Sequence, residues 1–190
     1  MPQTIRNTAL LAAALAVSAA CSDVPSATSH VNAHVNAHVN AQVNAYPTAG
    51  TAAVASPGLV KQVHAATARF HSLEQAEKFG YEVASPCVSH PTLGAMGYHY
   101  VNESIVDPVF DPMAPEALVY APTANGRLKL VAAEYIVIDV GQPAPTFEGQ
   151  PFDVGGTPVP VPHWSLHMCA HRDNPDGIFT PFNPAVTCTP

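Results

Sequence analysis

The chain has 190 residues, 14 acidic against 7 basic side chains, a formal net charge of -7 and 10 histidines. So few Lys and Arg argue against a nucleic-acid or anionic-lipid surface as the partner. The length beyond the N-terminal region is enough for one hydrophobic core, and no apolar run after the N-terminus is long enough for a membrane-spanning helix.

The N-terminus carries one cation, Arg6, then an apolar run from Ala9 to Ala20. That run is too short to span a bilayer and ends in small residues, so residues 1–20 read as a secretory signal peptide. The junction Val17-Ser18-Ala19-Ala20-Cys21 resembles a bacterial lipoprotein lipobox, with Cys21 as the lipidated first residue of the mature chain. Ser18 departs from that pattern, which leaves a plain signal-peptidase cut after Ala20 as the alternative. Ser22 after Cys21 resembles the sorting pattern for an outer membrane. The resemblance implies an exported protein of the bacterial cell envelope, tethered to a membrane through Cys21 or soluble in the periplasm.

Residues 21–57 are low in complexity. His30-Val31-Asn32-Ala33 recurs from His34 and from His38, then decays to Gln42-Val43-Asn44-Ala45. This composition lacks the large apolar side chains that offset ordering entropy, so it reads as a flexible tether. The repeated histidines read as a slippage repeat without a role, against weak metal capture as the competing reading.

Residues 58–190 form the expected single domain. Leu59, Val63, Ala66 and Phe70 fall near one face of a helix over Leu59–Arg69. Ser72, with Gln75 three residues on, is a capping box for a second short helix that Gly80 stops. Gly97–Val101 and Ala117–Ala121 then read as strands, Thr123-Ala124-Asn125-Gly126 as a hairpin turn, and Arg127–Val140 as one long strand. Residues 141–162 are rich in Pro and Gly and read as irregular; the tail after Asn174-Pro175-Asp176-Gly177 is Pro-punctuated and expected to lie over the domain. The fold class is α+β, with one or two N-terminal helices packed on an antiparallel sheet.

The chemistry concentrates in His163-Trp164-Ser165-Leu166-His167-Met168-Cys169-Ala170-His171. Strict alternation marks a half-buried strand whose one face carries metal-binding or proton-handling side chains. The alternative is a helix, since the three histidines also fall at i, i+4 and i+8. On a regular strand His163 and His167 lie about 13 Å apart and cannot share an ion, whereas His167 and Cys169 can. Glu134 interrupts an apolar strand, and His99 stands between Tyr98 and Tyr100; a carboxylate in such a place is paired, metal-bound or on a wet face. Pairing with Arg127 or Lys129 is the plain alternative. The candidate metal ligands are therefore His99, Glu134, His163, His167 and Cys169. If the sheet brings His99, Glu134 and His167 to one face, three N/O ligands with an open position result, suited to copper or zinc. His64, His71, His90 and His171 read as surface residues. Without Cys21, the three cysteines allow one bridge; the Pro-flanked Cys87 and Cys188 are the expected pair and Cys169 the odd thiol, with a bridge to Cys169 as the alternative.

No phosphate-binding glycine loop or nucleophile elbow is present, and Asp107-Pro108 with Asp111-Pro112 lacks calcium-loop spacing. The domain resembles a group of uncharacterised bacterial exported proteins through Ala68–Ala76, Gly94–Asn102, Pro115–Tyr120 and Asn174–Phe179; the resemblance implies a shared fold and nothing catalytic. The functional expectation is metal binding in the envelope rather than catalysis, with a metal-dependent enzyme or a metal-free interaction module as alternatives.

Overall fold

The computed structural model describes residues 55–190 apart from Thr157. The signal peptide, Cys21 and the His30–Ala45 repeat lie outside the described residues.

The fold is α+β. Helix α1 (Pro57–Thr67) starts where Ser56 accepts from the Leu59 N–H and Pro57 takes the first turn, two features that satisfy or remove the free N–H groups of a helix start. A 3-10 turn (Ala68–His71) follows. Helix α2 (Leu73–Lys78) is capped by Ser72, whose hydroxyl accepts from Gln75 N. The helical segment expected over Leu59–Arg69 thus changes to a tighter winding at Ala68, which turns Phe70 into the core.

Nine strands follow: β1 (Glu82–Val83), β2 (Val88–His90), β3 (Gly94–Val101), β4 (Ala117–Pro122), β5 (Leu128–Ile138), β6 (Thr146–Phe147), β7 (Gln150–Pro151), β8 (Asp153–Val154) and β9 (His163–Met168). Seven of them form one sheet in the order β1-β3-β4-β5-β9-β8, with β2 also on β3, and every pairing is antiparallel. The β4–β5 hairpin closes around Thr123–Gly126 as the Asn-Gly signal predicts, with Pro122 opposite Leu128. The register shifts between Val119 and Tyr120, so a bulge separates the two halves of the hairpin.

The sheet has two differently covered faces. One meets the helices: Tyr135, Val137, Leu166 and Met168 pack with Val63 of α1, and Tyr100, Leu118 and Tyr120 pack with Phe70 and Ala76. Residues 141–162 are not wholly irregular. Phe147 and Phe152 turn into this core beside Tyr135 and Phe110 and so anchor this Pro-rich stretch to the sheet. The opposite face is covered by loops and the C-terminal tail. Val186 packs on Ala95, Val119 and Ala132, and Val106 and Val159 pack on Val101, Ala117 and Ile136. Asn183 pairs with Ala95 through both backbone hydrogen bonds. Gly94, at φ +89°, lies so close to the Asn183 carbonyl that a Cβ there would clash with it. Cys87 and Cys188 form the expected disulfide, 101 residues apart in sequence.

Candidate metal centre

His99 on β3, Glu134 on β5 and His167 on β9 meet on the face away from the helices, and each offers one ligand atom within 4.8 Å of the others. Register explains half of this: Glu134 and His167 are directly opposed on neighbouring strands. His99 is two strands from Glu134, about 10 Å of backbone separation. The residue opposite Glu134 on the intervening β4 is Ala117, wholly buried. His99 itself is opposite Val119, so it and Glu134 approach each other diagonally across β4. Donors at bond lengths of about 2.0–2.2 Å from a tetrahedral ion sit about 3.3 Å apart, and Glu134 Oε2 lies 3.2 Å from His99 Nε2.

All three side chains are buried, at 3%, 9% and 5% exposure for His99, Glu134 and His167. Burial holds the Glu134 carboxyl up at about 8, His99 down at about 4, and His167, with a further push from His99, at about 3. At neutral pH the metal-free group is therefore three neutral side chains, each imidazole keeping one nitrogen lone pair. Glu134 Oε2, although close to His99 Nε2, lacks hydrogen-bond alignment with it, and His167 Nδ1 also has no hydrogen-bond partner. Leaving such an atom buried and unsatisfied costs about 1–3 kcal/mol. His99 is held from behind: Ser85 Oγ lies 3.0 Å from Nδ1 and accepts from the His99 backbone N–H, while its own proton goes to the Pro86 carbonyl. Nδ1 then carries the ring proton and donates to Ser85, so Nε2 faces Glu134 with its lone pair. A buried His–Glu–His group that can hold a metal ion is thus present, and its donors suit a transition ion rather than calcium or magnesium.

The other two candidate ligands lie elsewhere. His163 is on β9, as the strand reading requires, and is buried; its Nδ1 donates to the Val161 carbonyl, and its ring is seated against Gly155, where a Cβ would clash with it. It is opposite Ile138, four residues from His167. Cys169 leaves the strand after Met168 and is the free cysteine among the described residues. Its thiol contacts Asn174 Nδ2 and the Thr180 carbonyl, away from the His99–Glu134–His167 group, and burial pushes it up to about 11, which disfavours a thiolate in the metal-free protein. Arg127 and Lys129 do not pair with Glu134, which is buried and lies beside His99 instead.

Two residues of consequence escape the sequence reading. Ser85 orients His99, and its only local signal is a small polar residue before Pro86-Cys87. Glu116 is a second buried carboxylate, raised to about 8 mainly by burial, but Oε2 accepts from the Ile136 N–H and the group serves the backbone of β5. A cavity of about 220 Å³, lined by Ala84, Val101, Glu103, Val106 and Pro158–Pro160, opens on the same face beside the triad.

Comparison with protein-family models, with curated proteins and with solved structures found no match for this chain.

Proposed function

We propose that this chain is an exported lipoprotein of the bacterial envelope, anchored through Cys21, that holds one copper or zinc ion between His99, Glu134 and His167. The observation that carries the metal reading is the convergence of three buried ligand side chains, two of which, Glu134 and His167, keep a buried atom without a hydrogen bond beside a preoriented His99. Two imidazoles and one carboxylate fit either ion. The low exposure of all three ligands favours retention of an ion over turnover of a substrate.

Metal content tests the reading. The full chain with His30→Gln, His34→Gln and His38→Gln, which removes the repeat as a binder, is loaded with copper or zinc, desalted and measured by plasma mass spectrometry. One retained equivalent, lost in Glu134→Gln and in His167→Gln variants that keep the native circular dichroism, is the expected result. No retained metal with either ion overturns it. Fractionation of a Cys21→Ala variant tests the anchor: the protein leaves the membrane fraction if Cys21 carries lipid.

A further inference from the structure

A second histidine group sits on the opposite side of the sheet. His64 projects from α1, His71 closes the 3-10 turn, and His171 lies just beyond β9, and each offers a ring nitrogen within 4.8 Å of the other two. Their ring centroids are 4.4 Å apart for His64 and His171, 4.7 Å for His71 and His171, and 6.1 Å for His64 and His71. We propose that His64, His71 and His171 form a separate, solvent-facing site for a divalent transition-metal ion of the zinc–copper class.

The tautomer of His171 is set for this role. Thr67 Oγ1 gives its proton to the Val63 carbonyl at 2.7 Å, so its remaining contact, 2.7 Å from His171 Nε2, accepts the ring proton. The lone pair is therefore on Nδ1, and that atom is buried without a hydrogen-bond partner. A hydroxyl that fixes which nitrogen carries the proton is the usual support behind a ligating imidazole. The backbone is fixed as well, since His171 N–H donates to the Val131 carbonyl. His64 and His71 are exposed, so the fourth position faces water. Three imidazole ligands without a carboxylate select against magnesium and calcium, and three protein ligands with an open position are the form of an exchangeable or catalytic zinc site. Burial first, and then the neighbouring histidines and Lys129, disfavour protonation of His71 and His171; Lys129 also weakens attraction for a cation, and Glu74 and Arg127 line a pocket with His71. The site does not depend on the His99–Glu134–His167 reading.

The test is a Zn2+ titration in competition with a colorimetric chelator, on the full chain carrying His30→Gln, His34→Gln and His38→Gln. It is run beside His64→Gln, His71→Gln and Glu134→Gln in the same background. The expected result is one rapidly exchanging equivalent, weakened about tenfold or more by each of His64→Gln and His71→Gln and unchanged by Glu134→Gln. Unchanged affinity for that equivalent in both surface variants overturns the proposal, as does the absence of a fast equivalent in the parent. Both surface residues are exposed, so their replacement leaves folding intact. A slow equivalent lost only in Glu134→Gln reports on the buried site, which keeps the two readings distinguishable.

Discussion

The two histidine groups of this domain share residue chemistry and differ in almost everything else. The buried group contains a carboxylate, is assembled by three strands, and lies beneath loops and the tail. The surface group is all imidazole, is assembled by a helix, a 3-10 turn and a loop, and faces water. The difference teaches that ligand identity sets which ions are possible, whereas burial sets proton competition and exchange. Glu134 must lose a proton before it can bind a cation, and the surface imidazoles His71 and His171, both lowered from their ordinary value, need not.

The largest effect that would break the comparison comes from the disulfide. Under the chain-entropy model, closing a span of 101 residues stabilises the fold by about 4–5 kcal/mol. A Cys87→Ser/Cys188→Ser variant is expected to lose that much in urea unfolding. It also frees the tail from the buried group's face, so metal retained there should escape faster to a chelator while exchange at the surface group stays the same. Equal acceleration at both groups would show that burial is not what separates them.

The next effect is on pH dependence. Glu134 titrates at about 8 in the fold, so affinity at the buried group should fall about tenfold for each pH unit below 8, with one proton released per ion bound. Glu134→Gln abolishes that dependence along with the binding. The metal-free protein gives the converse sign. A carboxyl raised in the fold adds stability that is fully present below its unfolded value near 4.5 and is lost as pH rises to about 8; the lowered imidazoles oppose this slope up to about 6.5, so the net decline is expected between about pH 6.5 and 8. Glu116 contributes in the same window, so Glu134→Gln removes only part of the slope in pH-dependent denaturation. On the acid side, His99 and His167, lowered to about 4 and about 3, cause loss of stability as pH falls from about 6.5.

Smaller effects sharpen the comparison at the supporting hydroxyls. Ser85→Ala should weaken metal at the buried group, and Thr67→Val at the surface group, each by about 10–100-fold, because each frees a ring tautomer. Each change should leave the other group alone, as read by competition titration. The smallest is Lys129→Gln, which should tighten the surface group by about twofold to fivefold as a screened cation is removed.

Much of this arrangement is legible in local sequence, and the reason differs by residue. The strand β9 follows from strict alternation, the β4–β5 hairpin from Asn125-Gly126, and the α2 cap from Ser72 with Gln75. His99, Glu134 and His167 stand out because each is a polar residue in an apolar strand. Their convergence is a property of strand order and register, which no local pattern announces. The surface group is invisible to local reading for a related reason. His64 and His71 look like ordinary exposed helix residues, and only the packing of α1 on the sheet brings His171 to them. His163 and Cys169 mark the limit of alternation as a guide: they share the pattern with His167, yet one is seated on Gly155 and the other follows the chain into the tail.

The Cys87–Cys188 bridge also imposes an order in time. Cys87 is two residues from Ser85, the hydroxyl that orients His99, and its partner is Cys188 of the tail. The segment that aims the imidazole is therefore pinned only after Cys188, 101 residues further along the chain, has been made and the two thiols oxidised. On the proposed metal reading, an ion that enters before the bridge closes is expected to meet a looser cradle than one that arrives later, so reduction of Cys87–Cys188 is expected to speed both loading and release.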